Sequence, residues 1–319
     1  MTINHSTFLP TVCMLAAAGL TGLLGCQSSA AERSVPPFPP PEGRLRILID
    51  ADAACEVDDQ YAIALALLSP ERFHIEGFVG AHFGDSGGPE GIEKSVTEIN
   101  TVLAKAGLAG KYPVKRGSHL FRYSQVPEPS EGVDFIIDRA MDLAKSERLW
   151  VVSLGACTDL AAAWLKEPRI KDRIIAFWHG RTQWPDKCWN FNAYNDIKAV
   201  RILFQSDLPL VLFDTGTDLV CPMEEARERI RPYGELGRYL YEIRFRSPGY
   251  QSPKKGFFDL GDIAALVNPS MAQFEVTHAP SVNWDMLYDH QKIHGRMVRV
   301  HSIDRDKTFA LFEERLRNQ

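Results

Sequence analysis

The sequence predicts an α/β fold, in which a mainly parallel central sheet carries helices on both faces. Short apolar runs alternate with segments of helical periodicity from residue 45 to residue 213, which is typical of a parallel sheet. Polar and acidic residues follow the ends of several apolar runs, at the edge where such sheets bind ligands. The 319 residues, 45% hydrophobic and 24% charged, suffice for one large core.

The predicted elements follow one another without an internal repeat. Strands are predicted at residues 45–49, 73–79, 112–115, 149–154, 174–178 and 208–213. Helices are predicted from Asp58-Asp59 to residue 68, at 93–106, 133–144, 160–166 (capped by Thr158 or Asp159), 197–204, 224–231 and 236–245, and in a late apolar segment near residue 262. Right-handed crossovers would bring the carboxyl ends of the strands to one edge.

The chain divides into three parts by composition. Residues 1–26 contain an apolar stretch and end in Leu-Leu-Gly-Cys26, which resembles a bacterial lipoprotein signal whose cysteine is lipidated. No Lys or Arg precedes the stretch, so an ordinary cleaved signal and an uncleaved anchor are the alternatives. Residues 27–43 are rich in proline and are predicted to be a tether that packs against nothing. Residues 44–319 form a single domain, expected in the periplasm and anchored to the envelope by lipid.

Charge and cysteine usage limit the partners. The net charge of −5 and the isoelectric point near 6.0 leave no basic patch for nucleic acid, so a small molecule is the expected partner. A membrane would be contacted through the N-terminal anchor alone, and the sequence allows a homo-oligomer. The four cysteines beyond Cys26 match no zinc motif, and a disulfide among them would have no unique pairing.

Five acidic side chains lie within ten residues after the first predicted strand. They are Asp50, Asp52, Glu56, Asp58 and Asp59. Clustered carboxylates raise one another's pKa unless a cation or strong donors are present. Hard oxygen ligands on one turn therefore favour Ca²⁺ or Mg²⁺, the alternative being an acidic loop that caps a helix.

Four motifs in order resemble the nucleoside hydrolase family, the calcium-dependent N-ribohydrolases. The opening Asp-x-Asp and Asp-Asp pairs are Asp50, Asp52, Asp58 and Asp59, separated by a longer turn than in the best-known members, which indicates a divergent branch. Residues 151–174 resemble the family's strand, glycine turn and following helix. Residues 190–192, Asn-Phe-Asn, resemble its Glu-Phe-Asn, and residues 259–266 resemble its late metal-binding segment.

The resemblance implies an N-glycosyl hydrolase that cleaves a ribonucleoside or a related N-riboside. It implies Ca²⁺ held by the side chains of Asp52, Asp59 and Asp262 and by the carbonyl of Leu154, with Asp50 as a supporting acid. Asp52 would take a proton from a calcium-bound water that attacks the anomeric carbon.

Substrate contacts are implied on the same edge. The resemblance assigns Asp58, Asn190 and Asn192 to the ribose hydroxyls. His82 and His179 lie on the predicted edge and are candidates for the substrate site, with a structural histidine as the alternative for each. Two tryptophans in the loop before residue 195, Trp184 and Trp189, are candidates for stacking on the base, with aromatic packing as the alternative.

Two departures keep other functions open. In inosine-uridine members a His that can protonate the leaving base precedes the last metal-binding Asp, but here Gly261 stands there. Asn190 replaces a ribose-binding Glu, which removes one negative charge. A riboside-binding protein with weak or lost catalysis is therefore one alternative. A haloacid-dehalogenase-type phosphatase, with Asp50 as nucleophile and Mg²⁺, is another. The sequence does not determine the base preference.

Overall fold

A computed structural model describes residues 33–319, so the predicted signal and Cys26 lie outside the described residues. One eight-stranded sheet runs through the domain, in the order β3-β2-β1-β4-β5-β6-β8-β7. Strands pair in parallel except β7, which is antiparallel to β8. The strands are β1 Leu45–Ala51, β2 Phe73–Gly80, β3 Val114–Arg116, β4 Leu149–Ser153, β5 Ile174–His179, β6 Leu210–Phe213, β7 Ala272–Val282 and β8 Tyr288–Ile303.

Helices cover both faces of this sheet. None of the helices in the described part of the chain is both long enough and apolar enough to cross a bilayer. Short 3₁₀ segments join several of them. The α-helices are α1 Asp59–Leu67, α2 Gly84–Gly87, α3 Gly91–Lys105, α4 Glu131–Ala140, α5 Thr158–Lys166, α6 Phe191–Asn195, α7 Ile197–Gln205, α8 Met223–Arg229, α9 Gly234–Glu242, α10 Leu260–Val267 and α11 Arg305–Arg317.

The core has one layer on each face of the sheet, because side chains alternate along a strand. In β1, Ile47 and Ile49 pack into the layer that contains α1 and α10. Leu48 and Val151 pack into the opposite layer, against α4, α5 and α7. All of β1 is buried, so the residues that follow its carboxyl end lie near the centre of the domain. The predicted fold class is thereby confirmed.

The C-terminal elements were not predicted. The hairpin of β7 and β8 and the helix α11 follow residue 271, where the first half of β7 alternates between half-buried and exposed residues. An edge strand of this kind carries little apolar signal, because only one of its faces is covered. The predicted cap of α5 is also wrong. Cys157 is the N-cap residue and no side chain caps the helix, since Thr158 and Asp159 lie in its first turn.

The expectation that the proline-rich stretch packs against nothing is wrong for residues 33–43. Arg33 is buried and donates hydrogen bonds of 2.7–2.8 Å to the carbonyls of Leu203, Phe204 and Ser206. The last carbonyls of a helix have no partner within it, so this guanidinium caps the end of α7. Phe38 packs edge-on against Phe274 of β7, with ring centroids 4.9 Å apart.

We expect Arg33→Met to lower the free energy of unfolding by about 2 kcal/mol, because charged hydrogen bonds to the α7 carbonyls are lost. Chemical denaturation measures this. Arg122→Met is the matched control, since the Arg122 side chain is 77% exposed and lies 3.6 Å from Glu128. Equal unfolding midpoints for the two variants would contradict the anchoring role.

Candidate active site

A cavity with about 470 Å³ of empty space opens at the carboxyl edge of the sheet. The turn after β1 and the ends of β4 and β5 form its floor and sides. The amino end of α6 and the segment before α10 close it. It is lined by Asp52, Cys55, Glu56, Asp58, Asp59, Leu154, His179, Arg181, Asn190, Phe191, Asn192, Phe258 and Asp259.

The acids predicted to hold a metal converge here from distant parts of the chain. Carboxylate oxygens of Asp58, Asp59 and Asp259 lie within 4.8 Å of one another. Oxygens of Asp259 and Asp262 also lie within 4.8 Å of each other and of a ring nitrogen of His179. Asp259 thus links the β1 turn to the start of α10. Asp52 lines the same cavity, and Asp262 lies behind it with no exposed surface.

The protein does not supply a hydrogen-bond donor for every oxygen of these buried carboxylates. Oδ1 of Asp59 and Oδ1 of Asp262 are buried and have no hydrogen-bond partner. Burial, with the Asp52 charge next, raises the pKa of Asp59 well above its usual range. Burial raises the pKa of Asp262 to about 6, opposed by His179. Orphaned, crowded oxygens of this kind need a cation, so the donor set fits a divalent metal ion.

The carboxylate of Asp52 is buried against the turn that follows β4. Burial, and then the Asp58 charge, raises the pKa of Asp52 from 3.8 to about 7. Gly155 permits this arrangement, because a Cβ at that position would lie 2.8 Å from Cγ of Asp52. The adjacent Leu154 lines the cavity, and its carbonyl accepts a 2.7 Å hydrogen bond from Nδ2 of Asn192.

The longer turn between Asp52 and Asp58 is held by side chains from elsewhere. Nε2 of Gln60 donates to the Ala53 carbonyl at 2.5 Å and to Oε1 of Glu98 at 3.1 Å. The hydroxyl of Tyr250 donates to the Cys55 carbonyl at 3.0 Å. Tertiary contacts therefore fix this turn, which is longer than the corresponding turn in the best-known nucleoside hydrolases.

Asp50 lies beneath the cavity and does not line it. Its side chain is fully buried and accepts a 2.9 Å hydrogen bond from the Ser153 hydroxyl. Burial, with the Asp159 charge next, raises its pKa well above the usual range. A supporting acid behind the site is compatible with this position. A phosphatase nucleophile is not, because a substrate cannot reach Asp50.

Three predicted substrate residues, His82, Trp184 and Trp189, lie outside the cavity lining. Nε2 of His82 is 2.8 Å from the Thr158 hydroxyl, and its Nδ1 accepts from the Gly84 N–H at 3.1 Å, so this is a satisfied structural histidine. Trp184 packs against Tyr288 and His290, with centroids 4.9 and 5.2 Å apart. For His82 and Trp184 the structure favours the packing alternative. Trp189 is 53% exposed beside the lining residues 190 and 191, and its stacking role stays a prediction.

The remaining predicted substrate residues, Asp58, His179, Asn190 and Asn192, line the cavity, and all four are also hydrogen-bonded within the protein. Oδ1 of Asn190 accepts from the Ala193 N–H and its Nδ2 donates to the Cys188 carbonyl, each at 2.9 Å, so it caps α6. Nδ1 of His179 lies 2.7 Å from Oδ2 of Asp262. Asp58 accepts from the Phe258 N–H at 3.2 Å.

Sequence reasoning did not assign three charged residues of the cavity region. Asp259 precedes Asp262 by three residues, and this i,i+3 spacing on one helix face could have indicated it. Lys255 is buried, pairs with Glu56 and lies 3.5 Å from Oδ1 of Asp58. Arg181 follows β5 and lines the cavity. No pattern in the sequence distinguishes these two cations from surface residues.

The absence of a histidine before Asp262 has a steric reason. A Cβ on Gly261 would lie 2.8 Å from Cδ1 of Leu219 and 2.8 Å from Cζ of Phe213. Position 261 thus faces tightly packed apolar side chains. A larger side chain there could not be accommodated without moving this layer of the core.

Comparison with known proteins identifies the family. A family model described as inosine-uridine preferring nucleoside hydrolase matches residues 47–310. The chain therefore belongs to the nucleoside hydrolase family and is an N-glycosyl hydrolase. No curated protein matches it.

Solved structures share the fold at low sequence identity. A plant nucleoside hydrolase is 19% identical with a TM-score of 0.67, covering 88% of this chain and 100% of its own. An inosine-uridine preferring nucleoside hydrolase from Bacillus anthracis is 15% identical, with a TM-score of 0.65 and coverage of 86% and 100%. A purine-preferring ribonucleoside hydrolase from Gardnerella vaginalis is 20% identical, with a TM-score of 0.65 and coverage of 86% and 98%.

We expect stabilisation by Ca²⁺ to grow as pH rises from about 4 to about 7. In the metal-free protein the raised pKa of Asp52, about 7, favours folding below pH 4, where the group is protonated in both states. That contribution is lost as pH rises to 7, whereas Ca²⁺ binds the ionised carboxylates and offsets the loss.

The thermal midpoint, measured in excess chelator and in excess Ca²⁺ across this pH range, tests the expectation. Asp262→Asn should reduce the calcium increment. The matched control is Asp306→Asn, whose side chain is 87% exposed, and it should keep the increment. A calcium increment that does not change with pH would contradict the assignment of these acids.

Proposed function

We propose that this enzyme hydrolyses the N-glycosidic bond of a ribonucleoside or a related N-riboside, with Ca²⁺ as its metal ion and Asp52 as general base. The observation that carries the proposal is the convergence of buried acids with orphaned oxygens at the mouth of a cavity in this fold. Asp52, Asp59, Asp262 and the Leu154 carbonyl would hold the ion, with Asp259 as an additional oxygen donor.

Asp52 is suited to accept a proton. Its carboxylate lines the cavity and is confined by the close approach of Gly155. A carboxylate fixed in the cavity can take a proton from a water held beside it, which is the role of a general base. A bound Ca²⁺ supplies positive charge that makes a nearby water more acidic.

The negative charge of the cavity favours the reaction at the sugar. Cleavage of an N-glycoside passes through a flattened ribose with positive charge at the anomeric carbon. Carboxylates fixed around that carbon stabilise the charge more than they stabilise the neutral substrate. Asp58 is held by the Phe258 N–H and faces the cavity, so it is suited to bind ribose hydroxyls.

A second candidate is a riboside-binding protein with weak turnover. Asn190 supports it, because both polar groups of its side chain are used within the protein. Gly261 supports it as well, because no side chain at that position can protonate a leaving base. Calorimetry with intact nucleosides, followed by an assay for free ribose, separates binding from hydrolysis.

We also propose that the protein acts in the periplasm, attached to the membrane by lipid on Cys26. The apolar N-terminal stretch that ends in Leu-Leu-Gly-Cys supports this location. Metabolic labelling with a fatty-acid analogue, compared between the native protein and Cys26→Ser, tests the anchor. Equal labelling of the two would contradict it.

The activity is tested by screening purified protein against purine, pyrimidine and nicotinamide ribosides in Ca²⁺, with reducing sugar as the product measured. We expect release of ribose from at least one of them and its loss in excess chelator. Full activity in chelator would contradict the metal assignment.

We expect Asp52→Asn to lower ribose release by roughly 10²–10⁴-fold, the usual effect of removing a general base. Asp306→Asn serves as the control for the chemical change at an exposed site. Circular dichroism and the thermal midpoint in Ca²⁺ establish that each variant is folded. Unchanged turnover in folded Asp52→Asn would refute the role of this residue.

A further inference from the structure

Arg181 has an unusual backbone conformation and forms no ion pair within residues 33–319. Its φ is +34°, in the left-handed region that residues other than glycine rarely adopt. Strained conformations of this kind concentrate at ligand sites. Its guanidinium lies over the Phe258 ring, 4.2 Å from the centroid, and pairs with no carboxylate within residues 33–319. A charged side chain in the cavity wall is therefore available to a ligand.

The turn that carries Arg181 is held rigidly. The N–H groups of Gly180 and Arg181 both donate to the Phe213 carbonyl, at 2.9 and 3.1 Å. The next N–H, of Thr182, donates to Oδ1 of Asp214. The other oxygen of Asp214 accepts from Nε of Arg299 at 2.5 Å, so this acid is already engaged. The position of Arg181 is thus set before any ligand binds, which lowers the cost of binding.

Lys255, the second cation near the site, differs from Arg181 because it pairs with acids of the protein. Lys255 is 8% exposed, pairs with Glu56, lies 3.5 Å from Asp58 and donates to the Gly256 carbonyl at 2.5 Å. Lys255 therefore neutralises acids of the protein itself. Arg181 has no such acid. A guanidinium stacked on an aromatic ring keeps its in-plane N–H groups free, and these match the two oxygens of a phosphate or carboxylate.

We propose that Arg181 is a specificity-determining residue that binds an oxyanion on the substrate. The proposal rests on the proposed function and narrows its substrate to anionic ribosides. The oxyanion is either the phosphate of a ribonucleoside 5′-monophosphate or a carboxylate on the base. In either case the water oxygen bonds to the anomeric carbon and the C–N bond breaks. The electron pair of that bond leaves with the base, and the water gives up a proton. A purine or pyrimidine base takes up a proton as it leaves, whereas a pyridinium base leaves as a neutral pyridine and the proton passes to solvent.

The test compares kcat/KM for a neutral ribonucleoside, its 5′-monophosphate and a riboside of a pyridine carboxylate. We expect one anionic substrate to be preferred, and Arg181→Gln to lower the ratio of anionic to neutral kcat/KM by about tenfold or more. Arg181→Lys should retain part of the preference, because it keeps the charge but loses the planar fork. Arg122→Gln, at an exposed arginine outside the cavity, should keep the native ratio.

A binding measurement separates this proposal from the proposed function. Calorimetry is carried out with ribose 5-phosphate, ribose and a pyridine carboxylate, at about 50 and about 300 mM salt. Binding of one anion that weakens with salt and in Arg181→Gln supports the inference even if no riboside is hydrolysed. Hydrolysis of neutral ribonucleosides, with neither anion binding better than in Arg181→Gln, overturns the inference alone. If Arg181→Gln does not fold, the same calorimetry is carried out with folded Arg181→Lys. Weaker anion binding than in the native protein then supports the inference, and equal binding overturns it.

Discussion

Repulsion among buried carboxylates is the constraint on which the rest of the site depends. Asp52, Asp58, Asp59, Asp259 and Asp262 are each less than a tenth exposed and are brought together at one edge of the sheet. Desolvation and mutual repulsion make the ionised cluster unfavourable without a cation. The fold tolerates the cost because strands, helices and a long core hold the acids in place. The free energy of packing around the cluster therefore keeps these acids close together despite their repulsion.

Close packing sets where these acids lie. Gly155 lets the turn after β4 approach Asp52, and Gly261 lets α10 lie against Leu219 and Phe213. The second contact places Asp262 next to His179 and leaves no room for a side chain that would face the leaving base. This close packing therefore accounts for the absence of a histidine at position 261, next to Asp262, the acid proposed to bind the metal ion.

Two cations, Arg181 in the cavity wall and Lys255 next to the cavity, have different surroundings. Lys255 balances Glu56 and lies near Asp58, on the side where the ribose hydroxyls are proposed to bind. Arg181 lies over Phe258 on a turn held by Phe213 and Asp214. In the proposed complex the acids would face the reacting carbon, and Arg181, which pairs with no carboxylate within residues 33–319, would lie at the cavity wall. An anionic riboside matches such a distribution better than a neutral one.

The sequence by itself determined the fold class and the strand β1, which Asp52 follows, because apolar periodicity is local. The candidate ligands Asp59 and Asp262 came from the resemblance of short motifs to the nucleoside hydrolase family. The sequence did not determine the β7–β8 hairpin, whose outer strand has one uncovered face, or the packing of Arg33 onto α7. Only the tertiary structure places His82 and Trp184 outside the cavity lining and brings Asp259, Lys255 and Arg181 to the cavity region. These outcomes depend on contacts between residues tens to hundreds of positions apart, and no local pattern encodes them.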